Sequence, residues 1–208
     1  ARTLIYNGAT FKGQPVQSYV GGRNGRPLDG ATPTSYYLRK HIVEATSFVT
    51  GSEMSYQHIF PFFRYAEVLL NYAEALAAAT QNPDFTGMKG EVEYTLSPRE
   101  ALNAVRARYN MPGITETDYA AFVKRLRNER RVELAFEGHR FWDIRRWKIG
   151  AETTKVYGLT ITPQNDGSFS YMRSVIQQRG WEDRMNFYPI ADAELFKNHN
   201  LVQNDGWK

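Results

Sequence analysis

The chain has 208 residues, 42% hydrophobic and 23% charged, which is enough apolar content for one globular domain or a large piece of one. The absence of cysteine excludes a disulfide framework, a cysteine-ligated zinc site and a thiol nucleophile. A formal charge of +4 raises phosphate binding, but Lys124, Arg125, Arg127, Arg130 and Arg131 interleave with Glu129, Glu133 and Glu137 at helical spacing, the pattern of an ion-pair network, so no nucleic-acid partner is expected.

Residues 1–58 carry turn signals at Asn7-Gly8, Gly21-Gly22, Asn24-Gly25 and Asp29-Gly30 and read as a loop-rich segment with short strands, wrapping over a core supplied by the rest. Residues 1–20 lack a charged start followed by an apolar core, so no signal peptide is read there. Tyr36-Tyr37-Leu38-Arg39-Lys40 is a short extended piece leading to the helices.

Residues 59–150 read as a helical core. The first helix is predicted from about Pro61 to Ala79, with Tyr65, Leu69, Tyr72 and Leu76 on the buried stripe, Phe62 and Val68 beside it, and Glu67 and Glu74 opposite. Its apolar run is interrupted by Arg64, Glu67, Asn71 and Glu74, so it does not read as a membrane span. Ser97-Pro98-Arg99-Glu100 is a capping box that opens a second helix through Tyr109, closed by Asn110 and Pro112-Gly113. Thr117 or Asp118 caps a third helix running to Phe136, and after Gly138 a shorter aromatic helix covers 139–149.

Residues 151–208 read as a segment of loops and short strands. Strands are predicted over 156–161 and 169–172 around Asn165-Asp166-Gly167, followed by a short helix near Asp192 to Phe196. The predicted class is mainly α, with helix pairs, irregular loops and a few short strands.

Glu129 and Glu133 fall within about 20° of Phe122 on the third helix, so two carboxylates sit on its apolar face. An acid and base pair for glycoside hydrolysis must face the sugar from opposite sides, which one helix turn cannot provide. Buried charge demands partners, and Arg106, Arg108, Arg140 and Arg145 are at hand. Glu129, Glu133, Arg130, Arg140, Asp143 and Arg145 are therefore read as a structural ion-pair network.

Other chemistry is sparse. His41, His58, His139 and His199 form no metal-binding spacing, and Gly21-Gly22-Arg23-Asn24-Gly25 matches neither phosphate-binding glycine motif, so no metal, cofactor or catalytic residue is expected. Trp142 and Trp147 read as core packing. Loop aromatics are the better ligand contacts, and Tyr36, Tyr37, Tyr171 and Trp181 are the candidates.

Three stretches together resemble one family. They are residues 63–75, residues 101–108 and, most specifically, Glu129-Arg130-Arg131-Val132-Glu133-Leu134-Ala135-Phe136-Glu137-Gly138-His139-Arg140-Phe141-Trp142-Asp143-Ile144-Arg145-Arg146-Trp147. With Tyr188-Pro189-Ile190 and Gln203-Asn204-Asp205-Gly206-Trp207 they resemble SusD/RagB proteins, although Ala191 stands where a second proline is usual. The resemblance implies tetratricopeptide-like helix pairs in a non-catalytic outer-membrane surface lipoprotein. It also implies a partner, a SusC-like TonB-dependent transporter, and a glycan or other nutrient as ligand. Family members are about twice as long and carry a lipidated N-terminal cysteine. The expectation is thus that residues 1–208 are the C-terminal portion, with the anchor and much of the ligand site elsewhere. Two alternatives remain. A tetratricopeptide-type protein-interaction scaffold fits helix starts at about 61 and 97, near a 34-residue period, though no second copy of the period is present. A carbohydrate-active enzyme would need opposed carboxylates in an open cleft.

Overall fold

A computed structural model describes residues 3–207. In chain order the elements are β1 (Leu4–Ile5), β2 (Thr10–Phe11), β3 (Gln14–Pro15), β4 (Tyr37–Leu38), α1 (Tyr65–Thr80), β5 (Gly87–Lys89), β6 (Val92–Tyr94), α2 (Pro98–Ala107), α3 (Tyr119–Glu133), α4 (His139–Arg146), β7 (Lys155–Pro163), β8 (Phe169–Gln178) and α5 (Asp192–Lys197). Single 3-10 turns lie at Gly150–Thr153 and Asp183–Asn186. The class is mainly α with tetratricopeptide-like helix pairing, and each small sheet is an antiparallel pair: β1 with β4, β2 with β3, β5 with β6, β7 with β8. Contacts divide the chain into two units, one of Phe60–Arg140 and one of the segments before and after it.

The Phe60–Arg140 unit is built on α1, which packs against both α2 and α3. Its core joins Leu70, Ala73 and Ala77 of α1 to Ala101, Leu102 and Val105 of α2 and to Phe122 and Leu126 of α3. Alanines at the α1–α2 contact let the two backbones approach closely, and the buried leucines fill the space around them. Ser97 caps α2 as a full capping box: Glu100 N–H donates to Ser97 Oγ at 3.2 Å, and Ser97 N–H donates to Glu100 Oε2 at 2.8 Å. Asp118 caps α3, accepting from Ala121 N–H at 2.8 Å.

Three boundaries differ from the sequence reading. Helix α1 starts at Tyr65, four residues after Pro61, because Arg64 occupies the N-cap with β-region dihedrals. Helix α2 ends at Ala107, before Tyr109. Helix α3 stops at Glu133, short of Phe136, which has a left-handed φ of 63° and is exposed.

The buried face of α1 also differs. Ala66, Glu67, Leu69, Leu70, Ala73, Leu76 and Ala77 are buried, whereas Tyr65 is 72% exposed and Val68 is exposed too. This face is centred about 80–90° from the stripe read through Tyr65 and Tyr72. Alanines carry the true contact face, and they give a weak hydrophobic signal beside tyrosine. Glu67, expected on the solvent side, is only 6% exposed.

In the other unit, β7 and β8 form a long hairpin with Ile161 opposite Tyr171, longer than the strands read from sequence. Its turn is closed by Gln164 N–H to Ser168 O at 2.9 Å, with Gly167 at φ 81°. The loop-rich N-terminal segment docks on β7: Val20 N–H donates to Ile161 O at 2.8 Å and Ser35 Oγ–H to Leu159 O at 2.6 Å. Ile5, Ala9 and Val16 form a small core there, with Phe11 and Tyr37 packed on it.

Candidate functional site

The charged cluster of the helical unit centres on Arg64, a residue the network reading did not include. From the N-cap of α1 its guanidinium donates to Glu133 Oε1 at 2.7 Å, to Glu137 Oε1 and Oε2 at 2.7 and 2.8 Å, and to the Glu133 carbonyl at 3.0 Å. Glu137 grips the planar fork with both oxygens, the strongest geometry an arginine can offer a carboxylate. The Glu137 hydrogen bond is the largest influence on Arg64, and with Glu133 it outweighs burial and raises the guanidinium pKa above its already high value. Arg64 is therefore a fixed cation holding two largely buried anions.

Glu129 pairs separately with Arg106 of α2. Arg130 is buried and donates to Asn71 Oδ1 of α1 at 2.5 Å. His139 Nε2 lies 3.4 Å from buried Glu67 Oε2, and Arg140 is half-buried. These pairs join the helices to one another: Arg64 and Asn71 tie α1 to α3, and Arg106 ties α2 to α3.

The second unit holds the aromatics. Asp143 is buried and pairs with Arg146 Nε at 2.8 Å. Arg145 lies over the Phe141 ring at 3.6 Å from its centroid, with the Trp181 and Tyr188 rings at 5.2 and 5.6 Å. Trp142, read from sequence as core packing, is 59% exposed. Its ring stands edge-on to Phe141 at 5.0 Å and 6.3 Å from exposed Tyr188, so three rings share one patch. The sequence signal for Tyr188 was its place before Pro189 in an extended segment; nothing in the spacing of Trp142 separated it from a core position.

The four ligand candidates occupy different settings. Tyr171 is exposed on β8 and Tyr36 is exposed beside β4. Tyr37 is half-buried, and its hydroxyl donates to the Asn24 carbonyl. Trp181 is half-buried and lies so close over Gly150 that a Cβ there would fall 1.8 Å from the indole.

The closing segment is a clip. Gln203 bonds both the N–H and the carbonyl of Ile190 at 2.7 and 2.9 Å, and Trp207 Nε1–H donates to the Arg184 and Phe187 carbonyls at 3.1 Å. An open hollow of about 790 Å³ lies beside it, lined by Lys148, Asp183, Arg184, Phe187, Val202 and Asp205 among others. Among the described residues no group of three or more His, Asp or Glu side chains is placed to hold a metal ion, and no helix is long and apolar enough to cross a membrane. The carboxylates held below their usual range are those of Glu100, Glu116 and Asp166. The Ser97 N–H and hydroxyl account for Glu100, its own backbone N–H and Arg125 for Glu116, and the Ser168 hydroxyl and N–H for Asp166, so these are local structural contacts.

Comparison with known proteins bears on the same features. The chain is 33% identical over 146 residues to the SusD-like protein P2 of Formosa agariphila, a match covering 68% of this chain and 24% of that one. A crystal structure of a SusD-like protein from Bacteroides fragilis superimposes with a TM-score of 0.76 at 28% identity, over 99% of this chain and 38% of that chain. A second from the same species, a SusD-like carbohydrate binding protein, gives a TM-score of 0.64 at 29% identity, over 96% and 40%. The chain thus spans about a quarter of the curated relative and about two fifths of the solved chains, a smaller share than the half expected from sequence. The model of the SusD family matches residues 1–207, which includes the Arg64 cluster, the exposed ring patch and the closing clip alike, and the chain belongs to that family.

Proposed function

We propose that this chain is part of a non-catalytic nutrient-binding lipoprotein of the bacterial outer-membrane surface, which captures a glycan or other nutrient for a SusC-like TonB-dependent transporter. The observation that carries the reading is the family match over residues 1–207, together with the likeness to a SusD-like carbohydrate binding protein over 96% of this chain. The side-chain inventory is in keeping with it. The paired carboxylates are held by arginines, while exposed rings, which bind sugars through their apolar faces, are plentiful.

Tyr36, Tyr37, Tyr171 and Trp181 remain the proposed contacts from this portion, with Tyr36 and Tyr171 leading because their rings are open to solvent. The Phe141, Trp142 and Tyr188 patch is a second ring surface available to a ligand. Calorimetry of the full-length protein with a glycan panel tests the reading. Binding without cleavage, weakened by Tyr171→Ala or Trp142→Ala, is the expected result. Release of shorter sugars on prolonged incubation would overturn it in favour of an enzyme, and failure of every glycan to bind would leave the ligand to another nutrient class.

A further inference from the structure

Among the described residues Arg145 is a cation with no paired anion. Its guanidinium is bracketed by rings, 3.6 Å from the Phe141 centroid and 5.2 and 5.6 Å from those of Trp181 and Tyr188. Nη1 donates to the Phe141 carbonyl at 2.9 Å, Nε is buried with no hydrogen-bond partner, and Nη2 makes no hydrogen bond to any described residue. Asp143, the one acidic residue between His139 and Lys148, is held by Arg146. Ring faces return part of the hydration that a half-buried guanidinium gives up, but they are weaker partners than a carboxylate or sulfate, which can take two of its N–H groups at once. Lys148, by contrast, lines a hollow that also holds Asp183 and Asp205, so charge of both signs is present there.

We propose that Arg145 gives the Phe141, Trp142 and Tyr188 surface a preference for sugars carrying an anionic substituent, a uronate carboxylate or a sulfate ester. The inference rests on the nutrient-binding reading and narrows its ligand. Trp142 and Tyr188 are 59% and 55% exposed and their centroids lie 6.3 Å apart, so both rings are open to the apolar face of a sugar. The guanidinium flanks the same rings, so substituents of a sugar lying on Tyr188 fall near it. A neutral hydroxyl accepting its N–H exchanges one hydrogen bond to water for another. An anionic oxygen also gains the charge attraction of a partly desolvated site.

Calorimetry of the full-length protein with two matched pairs tests it: oligogalacturonate against its methyl ester, and a sulfated galactan oligomer against its desulfated form. At least one charged form is expected to bind about tenfold more tightly than its neutral partner, and the pair that shows it distinguishes carboxylate from sulfate. The preference should weaken as salt rises. Arg145→Gln should lose it while the neutral affinity stays, a split that a merely structural role would not produce. Trp142→Ala, at an exposed ring, should weaken both forms of a pair alike and leave their ratio, and it keeps the test open if the Arg145 variant does not fold. Equal affinities within both pairs, a preference retained in Arg145→Gln, or charged-form binding untouched by Trp142→Ala each overturn the inference and leave the nutrient-binding reading standing. No binding by any of the four ligands overturns it too, whereas that reading is judged on the whole glycan panel.

Discussion

Arg64 shows how much one side chain can hold in this fold. It sits 21% exposed at the start of α1 and shares its one positive charge between Glu133 and Glu137, so removing it takes a cation away from two largely buried carboxylates. Arg64→Met is expected to cost about 3–5 kcal/mol in urea unfolding, the range for breaking a buried pair from one side. Ser97→Ala removes an N-cap oxygen and should cost about 1 kcal/mol in the same measurement. The Ser97 N–H also holds the Glu100 carboxyl below its usual pKa. A lowered folded-state pKa means this contribution is full above the ordinary carboxylate range and is lost as pH falls through the lowered value. The stability difference between the native chain and Glu100→Gln should therefore be constant near neutrality and shrink on acidification; a difference that grows in acid would refute the assignment. The capping box could be read directly from Ser97 and Glu100, three residues apart. The partner of Glu133 could not, because Arg64 lies 69 residues away and no local spacing joins them.

Among the elements, the aromatic helix and the hairpin following it depend on a close contact at Gly150, where the Trp181 indole takes the space a side chain would fill. Gly150→Ala should displace that ring and cost roughly 1–3 kcal/mol, as overpacking does, with a shift in tryptophan emission as the direct readout. An unchanged emission spectrum would show that the indole is free to move aside. Helix α1 shows the limit of periodicity as a guide: with apolar residues outside the contact face as well, the strongest pattern ran through its tyrosines, and the contact face was set by alanines that fit against α2. The hairpin was the opposite case. Its turn residues and alternation were plain, and only its length, extended through β8 to Gln178, depended on pairing with β7.

On the scale of the whole molecule, the 208 residues cover 38% and 40% of the two solved SusD-like chains they match, and rings at Phe62, Phe63 and Trp142 are exposed. The 208-residue chain alone is expected to bind glycans weakly at most. On the function proposed above, the full-length protein binds them and uptake needs the transporter. Micromolar binding by the 208-residue chain in calorimetry would show that rings such as Tyr36 and Tyr171 already form a complete site.

What the sequence determined by itself was local and repetitive. The capping box of α2, an α3 cap at Thr117 or Asp118 and the turn at Gly167 each depend on neighbours within a few residues, where chemistry and spacing are enough. What only the tertiary structure decided was orientation and partnership: which face of α1 is inside, that Glu67 is buried near His139, that Arg64 holds Glu133 and Glu137, and that Trp142 stands in the open beside Tyr188. These choices are made by contacts between segments far apart in the chain. Their energies come from excluding water between particular surfaces, and no window along the sequence contains both sides of such a contact.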